Sequence, residues 1–397
     1  MKQVLAWALF DLANTFFAVA MLSFHFPLWV VEDRGGKELY FSIALGASMV
    51  CVAFLMPFCG ALSDAAGERM RFLRWTTYGC TAATFLIGFT THLGVALALF
   101  AIANMCYQLG TMFYDTLLWQ VAAPERLGQT SGFGAAFGYL GSTLGLLLLW
   151  PFARVGGHQA TFAPSAVFFL LFALPSFIFI RETRTAGTVS WSGLARAAAL
   201  RLTATIRSAR SLGPLWRYFW AAFFSLNAIN TVLVFMGVYT KRVLGFSEGR
   251  MIQFFVLSQL FAVAGSLILS RQIPGWGAKR TLTGIWAGWM AALVLVAAAP
   301  SPRWLWIAGP VIGFCLGSTW ATSRVLVIEL SPKEKLAEIL GLAGLFARAS
   351  TVLGPLLWGL LVWDPARYRP AVFMLVVLMG LGIALLQRVP YPSPRRA

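Results

Sequence analysis

The chain is 397 residues long, 59% hydrophobic and only 11% charged, with a formal net charge of +17 and a mean hydropathy of +0.75. A soluble domain carries roughly 25% charged residues, so the polar surface here is too small to face water and a soluble enzyme is excluded. Lipid must be the solvent, and the apolar runs are continuous over about 20 residues rather than alternating, which excludes a barrel and leaves spanning helices.

Apolar windows of that length predict twelve spans, near 4–31, 39–63, 72–91, 93–121, 130–152, 162–180, 214–240, 250–270, 280–299, 304–329, 338–363 and 369–388. The first apolar run starts just after Lys2 and reaches Val31, too long for a cleaved signal segment. With the N-terminus inside, 21 of the 31 Lys and Arg residues fall on inner segments, nine fall on outer loops, and Arg348 falls within a span. That excess predicts cytoplasmic N- and C-termini and a bacterial inner (plasma) membrane location. The basic charge is then a topology signal, and no nucleic-acid partner is expected. The expected partners are membrane lipids and a small-molecule solute, bound by a monomer. Cys51, Cys59, Cys80, Cys106 and Cys315 lie inside apolar runs without metal-ligand spacing, and the three histidines are scattered. No metal and no cofactor are expected, proton coupling aside.

The longest connection divides the chain into an N-terminal six-helix bundle (1–181), a linker (182–213) and a C-terminal six-helix bundle (214–397). In the linker, Arg196, Arg201, Arg207 and Arg210 interleave with Trp191, Leu194, Leu202 and Ile206. This pattern reads as a basic amphipathic helix on the anionic leaflet, or as a solvated linker. A duplication crosses it. Pro124-Glu125-Arg126 follows span 4, and Pro332-Lys333-Glu334 follows span 10, 208 residues later. GFGAAFGYLGSTLG from Gly132 is matched by GLAGLFARASTVLG from Gly341, with Ser142-Thr143 and Ser350-Thr351 again 208 apart. The predicted fold is an all-α polytopic membrane protein of twelve transmembrane helices in two pseudo-symmetric six-helix bundles. It resembles the parallel halves of major facilitator transporters.

After span 2 comes GALSDAAGERMRFL, which fits G-x3-D-x2-G-x-(R/K)-x-(R/K) through Gly60, Asp64, Gly67, Arg69 and Arg71. Gly60 would let two helices approach closely, Asp64 would meet the positive end of a neighbouring helix, and Gly67 would permit the reversal. The arginines would pair with Asp64 or lipid phosphate. The pattern resembles the cytoplasmic latch of the major facilitator superfamily, which implies a contact that breaks on inward opening. In the second half, PGWGAKRTL keeps Gly277, Lys279 and Arg280 but has Pro274 at the acidic position. Beyond the latch, the N-terminus reads WALFDLANTFFA and span 4 ends FYDTLLWQVAAPERLGQTSGFGAAFGYLG. Span 7 contains NAINT, and span 10 leads through TSRVLVIELSPKEKLAEILGL to GPLLWG. Together these are similar to the vacuole-effluxer branch of that superfamily, which includes fungal vacuolar amino-acid exporters. The resemblance implies efflux by alternating access, with the solute near mid-membrane. Asp115, Asn227 and Trp320 depart from the family pattern at positions where solute would bind.

Ionisable side chains in hydrocarbon cost roughly 2.5–3.5 kcal/mol on insertion scales, so such residues face a cavity or a partner. In span 1, Asp11 and Asn14 share a face and His25 returns close to it. In span 4, Gln108, Thr111 and Asp115 form a stripe. If spans 1 and 4 both line the cavity, the two carboxylates approach one another, which suits a proton carrier; local hydrogen bonding at a helix end is the alternative. Asn227 and Asn230 in span 7 share a face, for a zwitterion or for helix packing. Gly313, Gly317, Trp320 and Arg324 follow one face of span 10, where Arg324 can snorkel. Arg348 needs an anion: Asp11, Asp115, or a substrate carboxylate or phosphate. Gly354-Pro355 predicts a kink beyond it. Gly134, Gly138, Gly141 and Gly145 in span 5 carry small-residue spacing for helix packing.

The polar residues within the spans point to a secondary transporter of a small, zwitterionic or anionic solute, and the resemblance implies an amino-acid-like solute and efflux. Two alternatives stand beside it. The 33 phenylalanines with Trp119 and Trp320 suit a lipid, amphiphile or hydrophobic drug, and a non-transporting sensor or assembly protein is the third. No nucleophile–base arrangement suggests catalysis.

Overall fold

The computed structural model describes residues 2–122, 127–182, 213–299, 301–331, 336–364 and 367–391. Span 1 is a broken helix. Its α1 (Lys2–Phe17) passes into a π-helical stretch, Ala18–Ser23, breaks at Phe24, resumes as α2 (His25–Leu28), and ends in a second π-helical stretch, Trp29–Asp33. Five helices follow: α3 (Glu38–Ala66), α4 (Arg69–Ile87), α5 (Leu93–Val121), α6 (Leu127–Gly156) and α7 (Phe162–Phe179), with a 3₁₀ turn at His158–Thr161 before the last. The second series is α8 (Gly213–Arg242), α9 (Glu248–Trp276), α10 (Ala278–Ala298), α11 (Leu305–Leu330), α12 (Leu336–Ala349), α13 (Leu353–Leu361) and α14 (Tyr368–Gln387). The described residues contain no strand.

Eleven helical stretches among the described residues are long and apolar enough to cross a membrane. The twelfth span is α4, which opens on Arg69, Arg71 and Arg74 and carries a run of threonines. Thr76, Thr77, Thr81 and Thr84 each donate to a carbonyl four residues back, so their hydroxyls are satisfied inside the helix. Span 3, predicted over 72–91, instead starts at Arg69 and ends at Ile87. Span 11 differs more. The sequence predicts one kinked helix over 338–363, and the chain instead forms α12 and α13, parted by a turn at 350–352. The break falls just before Gly354-Pro355, where proline has no N–H to continue the ladder. The predicted linker lies, from 183 to 212, outside the described residues, as do Pro124-Glu125-Arg126 and Pro332-Lys333-Glu334.

The chain forms two compact units, Met1–Arg201 and Leu202–Ala397. The same pairings recur in each. In the first, α1 packs on α6 and α7, α5 on α3 and α4, and α4 on α7; in the second, α8 packs on α13 and α14, α11 on α9 and α10, and α10 on α14. Left-handed glycines repeat too: Gly35 and Gly245, and Gly67 and Gly277, are pairs 210 positions apart. The duplication read from short motifs is therefore built into the helix contacts.

Lipid supplies no hydrophobic drive between helices, so close backbone approach through small residues has to hold these seams. In α6, a Cβ at Gly134 would strike the Trp7 ring, and one at Gly141 would lie 2.5 Å from the Leu12 carbonyl. In the second unit, a Cβ at Gly354 would lie 2.5 Å from the Asn227 carbonyl, and Cβ atoms at Gly265, Gly313 and Gly317 would strike the backbone carbonyls of Phe314, Ser258 and Ala262. The α6 series is thus the α1–α6 seam within the first unit.

Candidate functional site

In the first unit the α1–α6 seam positions Asp11. A Cβ at Gly138 would lie 3.0 Å from Asp11 Oδ2, so the carboxyl rests directly on that glycine. Asp115, on α5, lies within Coulombic range of Asp11. The sequence predicts that the two carboxylates approach if spans 1 and 4 face one another, and α1 does pack on α5. Asn14 is buried, Gln108 and Thr111 are half-buried, and Asp115 is exposed. Thr111 donates to the Tyr107 carbonyl at 2.9 Å, which satisfies its hydroxyl within α5. His25 is not part of this group. The π-helical turns between Phe17 and His25 carry more residues per turn than an α-helix, so the face shifts and His25 meets His158 instead, Nδ1 to Nδ1 at 3.1 Å.

Tyr114 joins the carboxylates and was not singled out in the sequence. It is 4% exposed and stacks on Trp7 at 4.6 Å and Phe10 at 5.2 Å between ring centroids. The Trp7 indole N–H donates to the Tyr114 carbonyl at 3.2 Å. The Tyr114 hydroxyl is buried without a hydrogen-bond partner among the described residues and lies within Coulombic range of both Asp11 and Asp115. Tyr139 on α6 is in range of Asp11 as well. The signal available was adjacency: Tyr114 directly precedes Asp115, and Tyr139 directly follows Gly138.

In the second unit, Asn227 and Asn230 hold the break in span 11. Asn227 is fully buried; its Nδ2 donates to the Phe223 carbonyl at 2.8 Å, and its Oδ1 accepts the Gly354 N–H at 2.7 Å. Asn230 Nδ2 donates to Ser350 Oγ at 3.2 Å, and Ser350 donates to the Ala347 carbonyl. Of the two roles the sequence allows these asparagines, the packing role matches this geometry. Arg348 stands in the last turn of α12, before that break, and a Cβ at Gly344 would lie 3.1 Å from its Nη1. On α11, Gly313 and Gly317 seat α9, whereas Trp320 and Arg324 are exposed, so the predicted single functional face splits into a packing part and an accessible part. The Trp119 side chain lies outside the described residues.

At the latch, Gly67 takes φ +61, the reversal predicted. Gly60 departs from prediction: among the described residues a Cβ there would meet Met112 Sδ alone, at 3.9 Å, an ordinary contact rather than a close helix approach. The Asp64 side chain lies outside the described residues. Arg71 pairs with Glu68 at 3.2 Å. The N-terminus of α4 is met by Glu182, whose two oxygens accept the N–H groups of Arg69 and Met70 at 2.7 and 2.9 Å. Charge-assisted bonds to a helix N-terminus stabilise it. In the second unit the tail substitutes for the missing acid. Tyr391 Oη accepts the Ala278 N–H at 3.3 Å and donates to Glu329 at 2.6 Å, while Lys279 Nζ donates to the carbonyls of Gln387 and Val389.

Twelve spans in two repeated units, two of them broken, with Asp11 set into a helix seam, define a transporter of the major facilitator fold. A variant of the nucleoside transporter NupG matches the chain with a TM-score of 0.75 at 13% identity, covering 98% of each chain. A D-xylose–proton symporter does so with a TM-score of 0.75 at 14% identity, covering 99% of this chain and 98% of that one. At these identities the likeness establishes the fold. Residues 123–397 match the model of the family described as Vacuole effluxer Atg22 like, and the chain belongs to that family. The uncharacterized MFS-type transporter YxiO of Bacillus subtilis (strain 168) is 22% identical over 415 residues, 98% of this chain and 95% of that protein.

Proposed function

We propose that the chain is a secondary active transporter that exports a small anionic or zwitterionic, amino-acid-like solute by alternating access, with a proton carried by Asp11 and Asp115. One observation carries this reading: Asp11 rests on Gly138 inside a helix seam, within Coulombic range of Asp115. A carboxylate held in a seam with a second one nearby is held most cheaply when the two share a proton. Binding and release of that proton moves the pair between one negative charge and two, and this is what couples a proton gradient to a conformational cycle. Arg348 supplies a cation for a solute carboxylate beside a discontinuous helix, the kind of backbone break at which transporters bind their cargo. Cytoplasmic termini and an inner-membrane location belong to the same proposal. In proteoliposomes, Arg348→Ala and Asp115→Asn should each abolish transport while the purified proteins stay folded; unchanged transport by both removes both assignments.

A second reading has its own support. Trp216, Trp220, Phe219 and Phe346 cluster with ring centroids 5.0–6.1 Å apart, and Trp220 is exposed. Such a surface suits the tail of an amphiphile. Binding of radiolabelled amino acids against lysolipids separates the two readings.

A further inference from the structure

His25 and His158 take no part in the proposed proton path. His25 opens α2 just after the break at Phe24, and His158 opens the 3₁₀ turn between α6 and α7. Both are buried, 1% and 4% exposed. Their Nδ1 atoms are 3.1 Å apart. A nitrogen–nitrogen hydrogen bond needs one N–H and one lone pair, so this contact holds a single proton. The other nitrogen of His25, Nε2, is buried with no hydrogen-bond partner among the described residues. The Nδ1 contact is therefore the polar tie of that ring.

The tie sits in a larger fastening. Arg34 Nη2 donates to Gln159 Oε1 at 2.7 Å and lies over the Trp29 ring at 4.8 Å. Gln159 Nε2 donates to the carbonyls of Gly88 and Thr90 at 3.2 and 2.7 Å. These contacts pin the broken far end of span 1 to the turn between spans 5 and 6 and to the end of α4. The charged groups on the elements packed against the pair are few. Glu32, Asp33 and Arg34 belong to or follow the second π-helical stretch, with Asp33 Oδ2 facing Gly157. Arg154 on α6 lies over the Trp150 ring at 5.3 Å. The first π-helical stretch and α7 carry no charged residue.

We propose that the His25–His158 pair is a proton-operated clasp at the end of the first bundle opposite Lys2. A proton added at the acceptor Nδ1 turns both Nδ1 atoms into donors, removes the acceptor, and leaves one imidazolium N–H facing the other ring's N–H. The rings then part, and the break at Phe24 is freed to move. The closed pair holds one bridging proton and the parted pair takes up another, so acid favours the parted state. Each pH unit below the ordinary histidine range, about 6.5, shifts the balance up to about tenfold, and above that range the clasp stays shut. This is a device for opening that end of the bundle on its acidic side, independent of which solute is carried.

Hydrogen–deuterium exchange of the full chain in nanodiscs tests it, followed from about pH 8 to about pH 4.5 and corrected for intrinsic exchange. Peptides covering 18–34 and 157–161 should lose protection together on the acid side, by up to about tenfold per pH unit, while peptides from α10 keep theirs. His158→Gln and His25→Gln, which can bond but cannot take the proton, should remove the acid step. A flat wild-type profile overturns the proposal, and so does an acid step that persists in both variants. If a variant does not fold, the wild-type profile still decides.

Discussion

Asp11 stands on Gly138, with 3.0 Å between its Oδ2 and the point where a Cβ on that glycine would lie. The glycine is the floor beneath the carboxyl: a methyl added there makes the carboxyl give by a few tenths of an ångström, and a larger side chain displaces it further. Gly138→Ala should lower transport about tenfold, the scale that small displacements of a reacting group reach, and Gly138→Leu should abolish it. Initial rates in proteoliposomes check this, and an alanine variant as fast as wild type would detach Asp11 from the transport step.

Gly141 makes the complementary case, because its neighbour is backbone. A Cβ there would lie 2.5 Å from the Leu12 carbonyl, which cannot turn away as a side chain can. Gly141→Val should cost stability, on the order of 1–3 kcal/mol for an overpacked seam. Thermal melting in detergent would report a lower midpoint and reduced yield of folded protein.

Asn227 should behave as a structural residue. Its Oδ1 accepts the Gly354 N–H at 2.7 Å, and removing it leaves a buried donor unsatisfied, at about 1–3 kcal/mol. Asn227→Ala should therefore lower the melting temperature in the absence of any solute. A variant with wild-type stability and impaired solute binding would return Asn227 to the binding site.

Glu182 caps α4 through two N–H groups at 2.7 and 2.9 Å. Glu182→Ala should destabilise the protein by about 1–2 kcal/mol, the usual range for a lost N-terminal cap. Peptides at the start of α4 should exchange faster, with those of α10 unaffected.

Tyr391 gives an alkaline signature. Burial, with Glu329 beside it, pushes its hydroxyl up to about 12, from an ordinary value of about 10. The folded chain therefore holds this proton more tightly than the unfolded chain. The stability it contributes is complete below about pH 10 and is lost as pH rises toward 12. Tyr391→Phe should remove that part of the alkaline loss, measured as a melting temperature flatter with pH than wild type above about pH 10.

The membrane class, the span count and the duplication were legible because each is written in long runs or in repeated spacing. The packing of span 1 on span 4 was legible too, through the resemblance, and α1 packs on α5. The fate of His25 was not. Helical phase was carried across Ala18–Ser23 as though the turns were regular, and π-helical turns leave no mark in apolar composition. The roles of Glu182 and Tyr391 were hidden for a different reason. Each acts over more than a hundred residues on a backbone N–H, a partner no side-chain motif records. Asn227 stood open between binding and packing because its polarity and the Gly354-Pro355 kink were both visible, while the hydrogen bond that joins them across 127 residues was not.

The central claim is that Asp11 and Asp115 couple solute movement to protons. The most direct test loads proteoliposomes with a pH-sensitive dye and challenges them with outward gradients of individual amino acids and small organic acids. The account predicts proton movement driven by at least one of these solutes in the wild type, and none in Asp11→Asn or Asp115→Asn, although both variants still bind that solute in a thermal-shift assay. Solute flux without proton movement in the wild type, at the same rate in both variants, would contradict it.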